Sequence, residues 1–216
     1  MENTIFSMVF IFFLLRLNAK EIQLGVVYSK TYKEGNELYS SSIEGYKNND
    51  FWGIWSVPIG ECKSSSQLTD INNITFTSEN IDDYDLNTAW MVPNYGIGQC
   101  IEFTIDYFPG DNSEAYQFYG ICDIFNGYCK SLVLWKNNSR VKKLKVYFNK
   151  VPVCYVNLID TWQFQSFDIS KYLLIDKFKN ISKSKNILRC EIIEVYKGTK
   201  YKDVGFSEFL CEGSAN

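Results

Sequence analysis

An alternation of apolar and polar side chains is the clearest pattern in the chain. In VKKLKVYFN, residues 141–149, Leu144, Val146 and Phe148 fall on one face of an extended backbone. Lysines and a tyrosine fall on the other face, which is the pattern of a strand with one buried side. We therefore predict a half-buried β-strand at this position.

Five further segments have the length and apolar content of strands. They cover residues 99–105, 152–158, 162–169, 187–195 and 205–211, with Gly, Asn, Asp or Pro between them. Residues 171–185 hold five lysines and are predicted to form an exposed loop. Strands that recur without long helices between them favour an antiparallel β-sandwich, so the predicted fold class is all-β.

The first residues predict export. Residues 8–15 form an apolar run of eight, the length of the hydrophobic part of a secretory signal and too short to span a bilayer. Leu17 and Ala19 suit the positions before a cleavage site, so residues 1–19 are predicted to be a signal peptide. An uncleaved anchor is the alternative. Export predicts a secreted protein, either periplasmic or extracellular.

Residues 20–60 are predicted to be an N-terminal extension of the main domain, residues 61–216. Trp52 and Trp55 lie in this extension. Tryptophans are unusual in a flexible tail, so we expect the extension to pack on the domain. A binding surface is the alternative.

Seven cysteines lie beyond the predicted signal peptide. In an oxidising compartment some should form disulfides, and an odd number leaves at least one thiol free. Buried, unpaired cysteines are the alternative. The positions are Cys62, Cys100, Cys122, Cys129, Cys154, Cys190 and Cys211.

Composition excludes several classes of function. The net charge is −3 and no block of five like charges occurs, which argues against a nucleic-acid partner. The chain has no histidine, which excludes Ser-His-Asp and Cys-His catalysis and histidine-ligated zinc. A glycosidase that uses only carboxylates is the enzymatic alternative that remains. We expect no enzyme.

The stretch ENIDDYDLNTAW, residues 79–90, concentrates acidic side chains. Glu79, Asp82, Asp83 and Asp85 lie within seven positions. Such a cluster suits an acid/base pair, a metal-binding loop or a solvated turn. The acids of 82–85 share one loop, whereas a glycosidase needs two carboxylates on opposite sides of a cleft.

Five motifs in order resemble those of one family. They are DDYDLNTAW, GIGQCIEFTI, IFNGYCK, NNSRVKKLKVYF and EVYKGTKYKDVGFSEF. Together, over residues 62–211, they resemble the discoidin-like domains related to coagulation factor type C modules, in the NAD-glycohydrolase-type translocation or glycan-binding branch. The resemblance implies a jelly-roll β-sandwich of the galactose-binding-like type.

The resemblance also implies a calcium site. Galactose-binding-like domains carry a loop Asp-Gly-Asp-x-x-Thr-x-Trp, to which Asp83, Asp85, Thr88 and Trp90 are similar, with Tyr84 in place of glycine. Glu208 would be a further ligand. Calcium prefers six to eight hard oxygens, which such a loop can supply. The alternative is a turn held by Asp83 or Asp85, with Trp90 in the core.

The function implied by the resemblance is non-catalytic carbohydrate binding, with a glycan or glycoconjugate as partner. An adaptor that docks on a protein, a cell surface or a membrane through the same loops is the alternative. Aromatic faces with nearby amides and arginine suit sugars, and loops 90–98, 111–119 and 126–140 carry them. The candidate ligand-binding residues are Tyr95, Asn126, Tyr128, Trp135, Asn138 and Arg140. Each also has a structural interpretation, such as core packing or, for Arg140, an ion pair with Asp123.

Overall fold

The strands predicted from the sequence are present in a computed structural model, which describes residues 24–31, 59–105, 116–173 and 186–215. The strands in these ranges are β1 Gly25–Tyr28, β2 Lys30–Thr31, β3 Ile59–Ser64, β4 Leu68–Thr69, β5 Thr75–Phe76, β6 Trp90–Val92, β7 Cys100–Ile105, β8 Tyr116–Asn126, β9 Ser139–Phe148, β10 Val151–Asn157, β11 Gln165–Asp168, β12 Asn186–Tyr196 and β13 Val204–Ala215. Two short α-helices, α1 Leu132–Asn137 and α2 Ser170–Leu173, and two 3₁₀ turns, Ser78–Ile81 and Asn94–Gly96, lie between them. None of the helices in the ranges given above is long and apolar enough to cross a membrane.

The strands form two layers around one apolar core. One layer has the order β2-β11-β8-β13, with β6 beside the start of β13; the other has the order β1-β10-β9-β12-β7-β3. A short parallel pairing of β13 with β9 joins the layers. Phe103 of β7 packs against Phe209 of β13 with ring centroids 4.6 Å apart, which places the core between the layers. The prediction of an all-β sandwich is confirmed.

The alternating apolar and polar side chains of β9 lie on opposite faces of the strand, as predicted. Leu144, Val146 and Phe148 are fully buried in the core. Lys143, Lys145 and Tyr147 are only partly buried, on the outer face. Burial of the apolar face therefore sets the register of β9, since a shift by one residue would place lysines in the core.

Strand β8 is the main departure from the prediction. Residues 111–119 were predicted to form a loop, but Tyr116–Asn126 is a strand of 11 residues. Gly120 interrupts it with φ +82°, and a Cβ there would lie 2.6 Å from Ser170 Cα. Buried Asp123 and Asn126 also break the apolar pattern. The prediction for residues 116–119 was wrong because residues 116–118 pair with Gly213 to Ala215 of β13, a distant segment that gives no local signal.

Strands β1 and β2 attach the described part of the N-terminal extension to both layers. β1 pairs in parallel with β10, and β2 pairs with β11. Ser29 lies between β1 and β2, where the chain passes from one layer to the other. Its hydroxyl donates a 2.6 Å hydrogen bond to Gln165. Residues 24–31 thus pack on the sandwich. The predicted signal peptide, Trp52 and Trp55 lie outside the described residues.

The expected disulfides are absent: no disulfide joins any two of the seven cysteines, all of which lie in the described ranges. Six are buried and Cys62 is partly buried. Cys122 and Cys211 lie opposite each other on β8 and β13. Burial raises the pKa of Cys62 and of Cys154 to about 12, so these thiols stay protonated and unreactive. In this fold the cysteines act as small apolar core residues.

Candidate functional site

Most of the predicted site residues lie at one end of the sandwich, which we call the loop end. There Tyr196 of β12 pairs with Arg140 at the start of β9, and Asn157 at the end of β10 lies opposite Lys143. The connecting segments at this end are residues 82–89, 93–99, 127–138, 158–164 and 197–203. Loops at one end of a rigid sandwich are a common place for binding residues.

The acidic stretch forms a tightly hydrogen-bonded loop. Asp83 Oδ1 accepts a hydrogen bond from the Asp85 amide (2.9 Å), and Asp85 Oδ1 accepts one from the Asn87 amide (2.9 Å). Tyr84 has φ +58°, so a tyrosine adopts the left-handed conformation that glycine adopts most readily. These hydrogen bonds are the ones expected if the acidic stretch is a turn held by Asp83 and Asp85 rather than a calcium site.

Trp90 anchors the end of this loop in the core. Its side chain is fully buried, stacks on Phe206 at a centroid distance of 6.2 Å and donates a 2.9 Å hydrogen bond to the carbonyl of Ser66. The indole therefore has its polar atom satisfied and its apolar surface removed from water. The burial also fixes where the acidic loop ends.

Oxygen atoms crowd around Thr88. Its Oγ1 lies 2.6 Å from Asp83 Oδ2, 2.8 Å from the Asp85 carbonyl and 3.4 Å from the Asn80 carbonyl. A hydroxyl has one proton and can donate it to one of these acceptors at a time. Several close oxygens of this kind suit a hard cation, so the donor chemistry of the loop fits calcium.

Glu208, the fourth predicted calcium ligand, is fully buried on β13. It lies opposite Phe125, which packs in the same cluster as Leu86 of the acidic loop. Within the described ranges, however, no three Asp, Glu, Cys or His side chains come together as metal ligands. Hydroxyl and carbonyl oxygens would have to supply much of the coordination, and calcium binding stays a prediction.

Four of the six predicted sugar-binding residues are buried and hydrogen-bonded inside the protein. Asn126 donates to the Val141 carbonyl (2.7 Å) and accepts from the Val141 amide (3.0 Å). Trp135 Nε1 donates to the Asn126 carbonyl (2.8 Å), and the Asn138 amide donates to the Leu134 carbonyl (2.9 Å). These contacts make the side chains structural supports of the loop end.

Arg140 is the fourth buried residue of this set. Its ion-pair partner is Asp160 rather than Asp123: Nε and Nη2 donate to the two carboxylate oxygens at 3.0 and 2.9 Å. The guanidinium also lies 4.6 Å from the Trp135 ring centroid. Since the side chain is only 8% exposed, Arg140 positions the 158–164 loop and presents little surface to a ligand.

Tyr95 and Tyr128 keep part of their surface in solvent. The Tyr128 hydroxyl donates to the Asn87 carbonyl (3.2 Å), and burial and nearby Asp70 and Asp85 raise its pKa. The Tyr95 ring lies 5.9 Å from the ammonium group of Lys197 and 5.8 Å from that of Lys202. These two tyrosines are the predicted ligand residues with exposed surface, and their role stays a prediction.

An open groove of about 550 Å³ lies where β1, β10, β9 and β12 reach the loop end. Its walls include Tyr28, Asn157, Ile159, Asp160, Glu194 and Tyr196. The Tyr28 side chain is 69% exposed, and the Tyr196 hydroxyl donates to the Leu158 carbonyl at 3.0 Å. An exposed aromatic ring beside amide and carboxylate groups is suited to a polar ligand with an apolar face.

The charged groups of the groove are paired. Lys142 Nζ lies 2.8 Å from one oxygen of Glu194, and Lys143 Nζ lies 3.7 Å from the other. The hydrogen bond from Lys142 lowers the pKa of Glu194, and the same bond raises the pKa of Lys142. Asp160 is held by Arg140. Because the two lysines share one carboxylate and Asp160 is paired with Arg140, these groups together carry one net positive charge.

Sequence reasoning missed the groove for a structural reason. Tyr28 belongs to the predicted extension, and nothing local shows that β1 pairs with β10. The signal that was available is the polar and aromatic composition of Asn157 to Asp160 and of Glu194 to Tyr196. That composition marks a surface but does not show that the two segments share one groove.

Two solved structures with a similar fold are from the bacterium Clostridium perfringens. The chain matches the CBM32-1 and CBM32-2 domains of Clostridium perfringens ZmpB with a TM-score of 0.51 at 11% identity, over 87% of this chain and 41% of that one. A longer ZmpB structure, which adds the M60 catalytic domain, matches with a TM-score of 0.49 at 11% identity, over 88% of this chain and 16% of that one. At this identity the likeness shows the fold alone.

No curated protein matches the sequence. A family model does match: that of the NAD glycohydrolase translocation F5/8 type C domain, over residues 56–212. The match includes the acidic loop, β6 to β12 and most of β13. It agrees with the motifs that run from DDYDLNTAW to EVYKGTKYKDVGFSEF. The chain therefore belongs to the NAD glycohydrolase translocation F5/8 type C domain family.

Proposed function

We propose that this protein is a secreted, non-catalytic module that binds carbohydrate in the groove at the loop end. The observation that carries the proposal is the groove itself, with exposed Tyr28 next to Asn157 and paired charged groups. The sandwich fold it shares with CBM32 domains, which are carbohydrate-binding modules, supports the same class of ligand.

The groove chemistry suits a sugar ring. One face of a pyranose is rich in C–H groups and stacks on an aromatic ring, while its hydroxyls exchange hydrogen bonds with amides and carboxylates. Tyr28 supplies the ring, and Asn157 supplies both a donor and an acceptor. Lys142 and Lys143 both lie within 4 Å of Glu194, so an anionic sugar would have to compete with that carboxylate, and we expect neutral sugars to bind at least as well as sialylated or sulfated ones.

The contacts made by the carboxylates of the groove are consistent with a site that binds a sugar without hydrolysing it. A glycosidase needs one carboxylic acid that is still protonated near neutral pH. In the groove, Lys142 lowers the pKa of Glu194, and Asp160 is held in a two-point ion pair by Arg140. Asp82 has a pKa raised to about 6 by burial and by Asp83, but it lies in the acidic loop, away from the lining of the groove.

The test is a glycan-array screen of the protein, followed by calorimetric titration with the best neutral oligosaccharide. Tyr28→Ala should weaken binding by about tenfold or more, the loss expected for one stacked aromatic contact of about 1.4 kcal/mol. Tyr119→Ala is the matched control, because Tyr119 is a 43% exposed tyrosine on β8, outside the groove.

If the Tyr28 and Tyr119 variants bind the sugar with equal affinity, the sugar-binding site lies elsewhere on the protein. No binding to any glycan by the folded protein would reject the function. Release of reducing sugar during the titration would reject the non-catalytic part of the proposal.

A further inference from the structure

The chain carries three Asn-x-Ser/Thr tripeptides, or sequons, which begin at Asn73, Asn137 and Asn180. Such a tripeptide is the acceptor of N-linked glycosylation when its middle residue is not proline. The first two lie in the described part of the chain, and Asn180 lies outside it. A linked glycan is bulky and polar, so the asparagine that carries it must keep its side chain at the surface of the folded protein.

Asn73 lies at the tip of the β4–β5 hairpin. Asp70 Oδ1 closes the tip by accepting hydrogen bonds from the amides of Asn72 (2.8 Å) and Ile74 (2.9 Å). The Asn73 amide donates to the Asp70 carbonyl (3.0 Å), and its φ of +61° is in the left-handed region that asparagine tolerates. The backbone of the tip is therefore hydrogen-bonded without help from the Asn73 side chain.

The side chain of Asn73 has room for a sugar. The residue is exposed, and its side-chain amide forms no hydrogen bond with another described residue. Ile71 and Ile74, close to it on the same tip, are 96% and 56% exposed, so the space around the tip is open. The side-chain nitrogen can therefore carry a glycan without loss of packing or of a hydrogen bond.

The hairpin itself is fixed on the domain. Phe76 packs edge-on against Tyr128, with ring centroids 5.5 Å apart. Thr75, the hydroxyl residue of the sequon, pairs with Thr69 across the hairpin, and their Oγ1 atoms lie 3.1 Å apart. The lining of the groove comes from β1, β9, β10 and β12 and from residues 29 and 158–160. The sequon is thus separate from the proposed sugar-binding site.

Asn137 has the opposite surroundings at the end of α1. Its Oδ1 accepts a 3.0 Å hydrogen bond from the Thr199 hydroxyl, and its carbonyl accepts one from the Tyr201 amide (2.8 Å). Ser139, the hydroxyl residue of this sequon, is fully buried and donates to the Tyr201 carbonyl (3.1 Å). A glycan on Asn137 would have to displace the 197–203 loop, so we expect the folded protein to carry none there.

We infer that Asn73 is a site of N-linked glycosylation. The Asn73 side-chain nitrogen bonds to the anomeric carbon of a lipid-linked oligosaccharide diphosphate. The bond between that carbon and the pyrophosphate oxygen breaks, the lipid pyrophosphate leaves, and one amide proton is released. The inference rests on the export that is part of the proposed function, because the modification belongs to secreted proteins. The attached glycan would cover part of the apolar surface of Ile71 and Ile74.

The test is expression of the full chain in a eukaryotic cell line that secretes glycoproteins. A cleavable signal peptide of the host precedes Met1, so import into the secretory pathway does not depend on residues 1–19. All chains carry Asn180→Gln, which limits the experiment to the two described sequons. Peptide N-glycosidase should remove the mass of one glycan. Because this enzyme leaves an aspartate at the linked position, peptide mass spectrometry should find aspartate at position 73 and asparagine at position 137.

Two threonines of the hairpin provide matched variants. Thr75→Ala destroys the sequon and should abolish the loss of mass on enzyme treatment, whereas Thr75→Ser keeps the sequon and should preserve it. Thr69→Ala loses the same Thr69–Thr75 hydrogen bond but leaves the sequon intact, so it should be glycosylated like the wild type. Asn137→Gln should also leave the loss of mass unchanged.

Secretion of the folded protein with an unmodified asparagine at position 73 overturns the inference, as does a glycan on Asn137 in its place. Absence of the glycan from Thr69→Ala as well as from Thr75→Ala would overturn the sequon as its cause. Because the added signal takes over the role of residues 1–19, a failure of the predicted export would not produce these results. Sugar binding is measured separately on the unglycosylated Thr75→Ala variant, so the groove and the glycosylation site can fail independently.

Discussion

At the scale of single residues, burial decides which of the predicted side chains can meet a ligand. Asn126, Trp135, Asn138 and Arg140 have the chemistry that a sugar needs, yet each uses its polar atoms inside the protein. Residue type is visible in a sequence, whereas burial depends on distant partners such as Asp160. The motif NNSR therefore identified a structural support rather than a contact surface.

Arg140 and Lys142 provide a matched pair of ion-pair residues. Arg140→Ala removes a side chain that is 8% exposed and leaves Asp160 without its partner, so the free energy of unfolding should fall by about 3 kcal/mol. Lys142→Ala removes a side chain that is 47% exposed and should cost at most about 1 kcal/mol. Urea unfolding of both variants measures the difference. Equal losses would contradict the structural role of Arg140.

Alanine variants at Gly120 and Gly98 distinguish the cost of backbone strain from the cost of a steric collision. Both have positive φ, +82° and +81°, but a Cβ on Gly98 meets nothing within 4 Å, whereas one on Gly120 lies 2.6 Å from Ser170 Cα. Gly98→Ala should cost about 1 kcal/mol for the left-handed backbone alone. Gly120→Ala should cost about 3 kcal/mol, because backbone must also move.

The measurement for the glycine pair is chemical denaturation of each variant under the same conditions. Similar stabilities would mean that β8 and α2 separate easily, which would argue against the close contact at Ser170.

At the scale of elements, the sequence was most informative where strands alternate or carry continuous apolar runs. β7, β9, β10 and β12 follow their predicted positions because their burial depends on their own residues. β8 was missed because Gly120, Asp123 and Asn126 are tolerated only by contacts with other elements. The parallel pairing of β1 with β10 brings together distant segments and has no local signature.

Ser29 tests how the N-terminal strands support the groove. Its Oγ donates to Gln165 and accepts a 3.0 Å hydrogen bond from the Ile159 amide, where both β1 and the 158–164 loop are held. Ser29→Ala should lower the free energy of unfolding by about 1–2 kcal/mol because buried polar groups lose a partner. The Ile159 amide keeps Gln165 Oε1 as an acceptor (2.9 Å), but that side chain is no longer held by Ser29, so hydrogen exchange at this amide should become faster.

Thr69→Ala is the control for Ser29→Ala. It removes the exposed Thr69–Thr75 hydrogen bond of the small β4–β5 hairpin and should change stability by no more than about 0.5 kcal/mol. Unchanged exchange at Ile159 in the Ser29 variant would show that the crossing at Ser29 does not hold the loop.

At the scale of the whole molecule, the groove and the acidic loop share the loop end of the sandwich. The groove lies beside β1, β10, β9 and β12. Arg140 ties the groove to helix α1, because its guanidinium pairs with Asp160 of the groove and donates a hydrogen bond to the Asn138 carbonyl after α1. The position of Asp160 therefore depends on α1 as well as on the strands.

Calcium removal tests the acidic loop at this end of the sandwich. The oxygens around Thr88 fit a cation, and a ligand that binds only the folded state raises its stability by mass action, by about 2.7 kcal/mol at 100 times the dissociation constant. We expect the melting temperature to be higher in millimolar calcium than in EDTA. Asp83→Asn with Asp85→Asn should abolish that difference.

Glu79→Gln is the matched control, because Glu79 is an exposed acid of the same cluster outside the predicted ligand set. It should keep the calcium response. A wild-type melting temperature that is the same in calcium and in EDTA would reject the calcium site. The loop would then be the turn that its Asx hydrogen bonds describe, held by Asp83 and Asp85 alone. A response lost in both the double variant and Glu79→Gln would indicate a diffuse charge effect rather than a site.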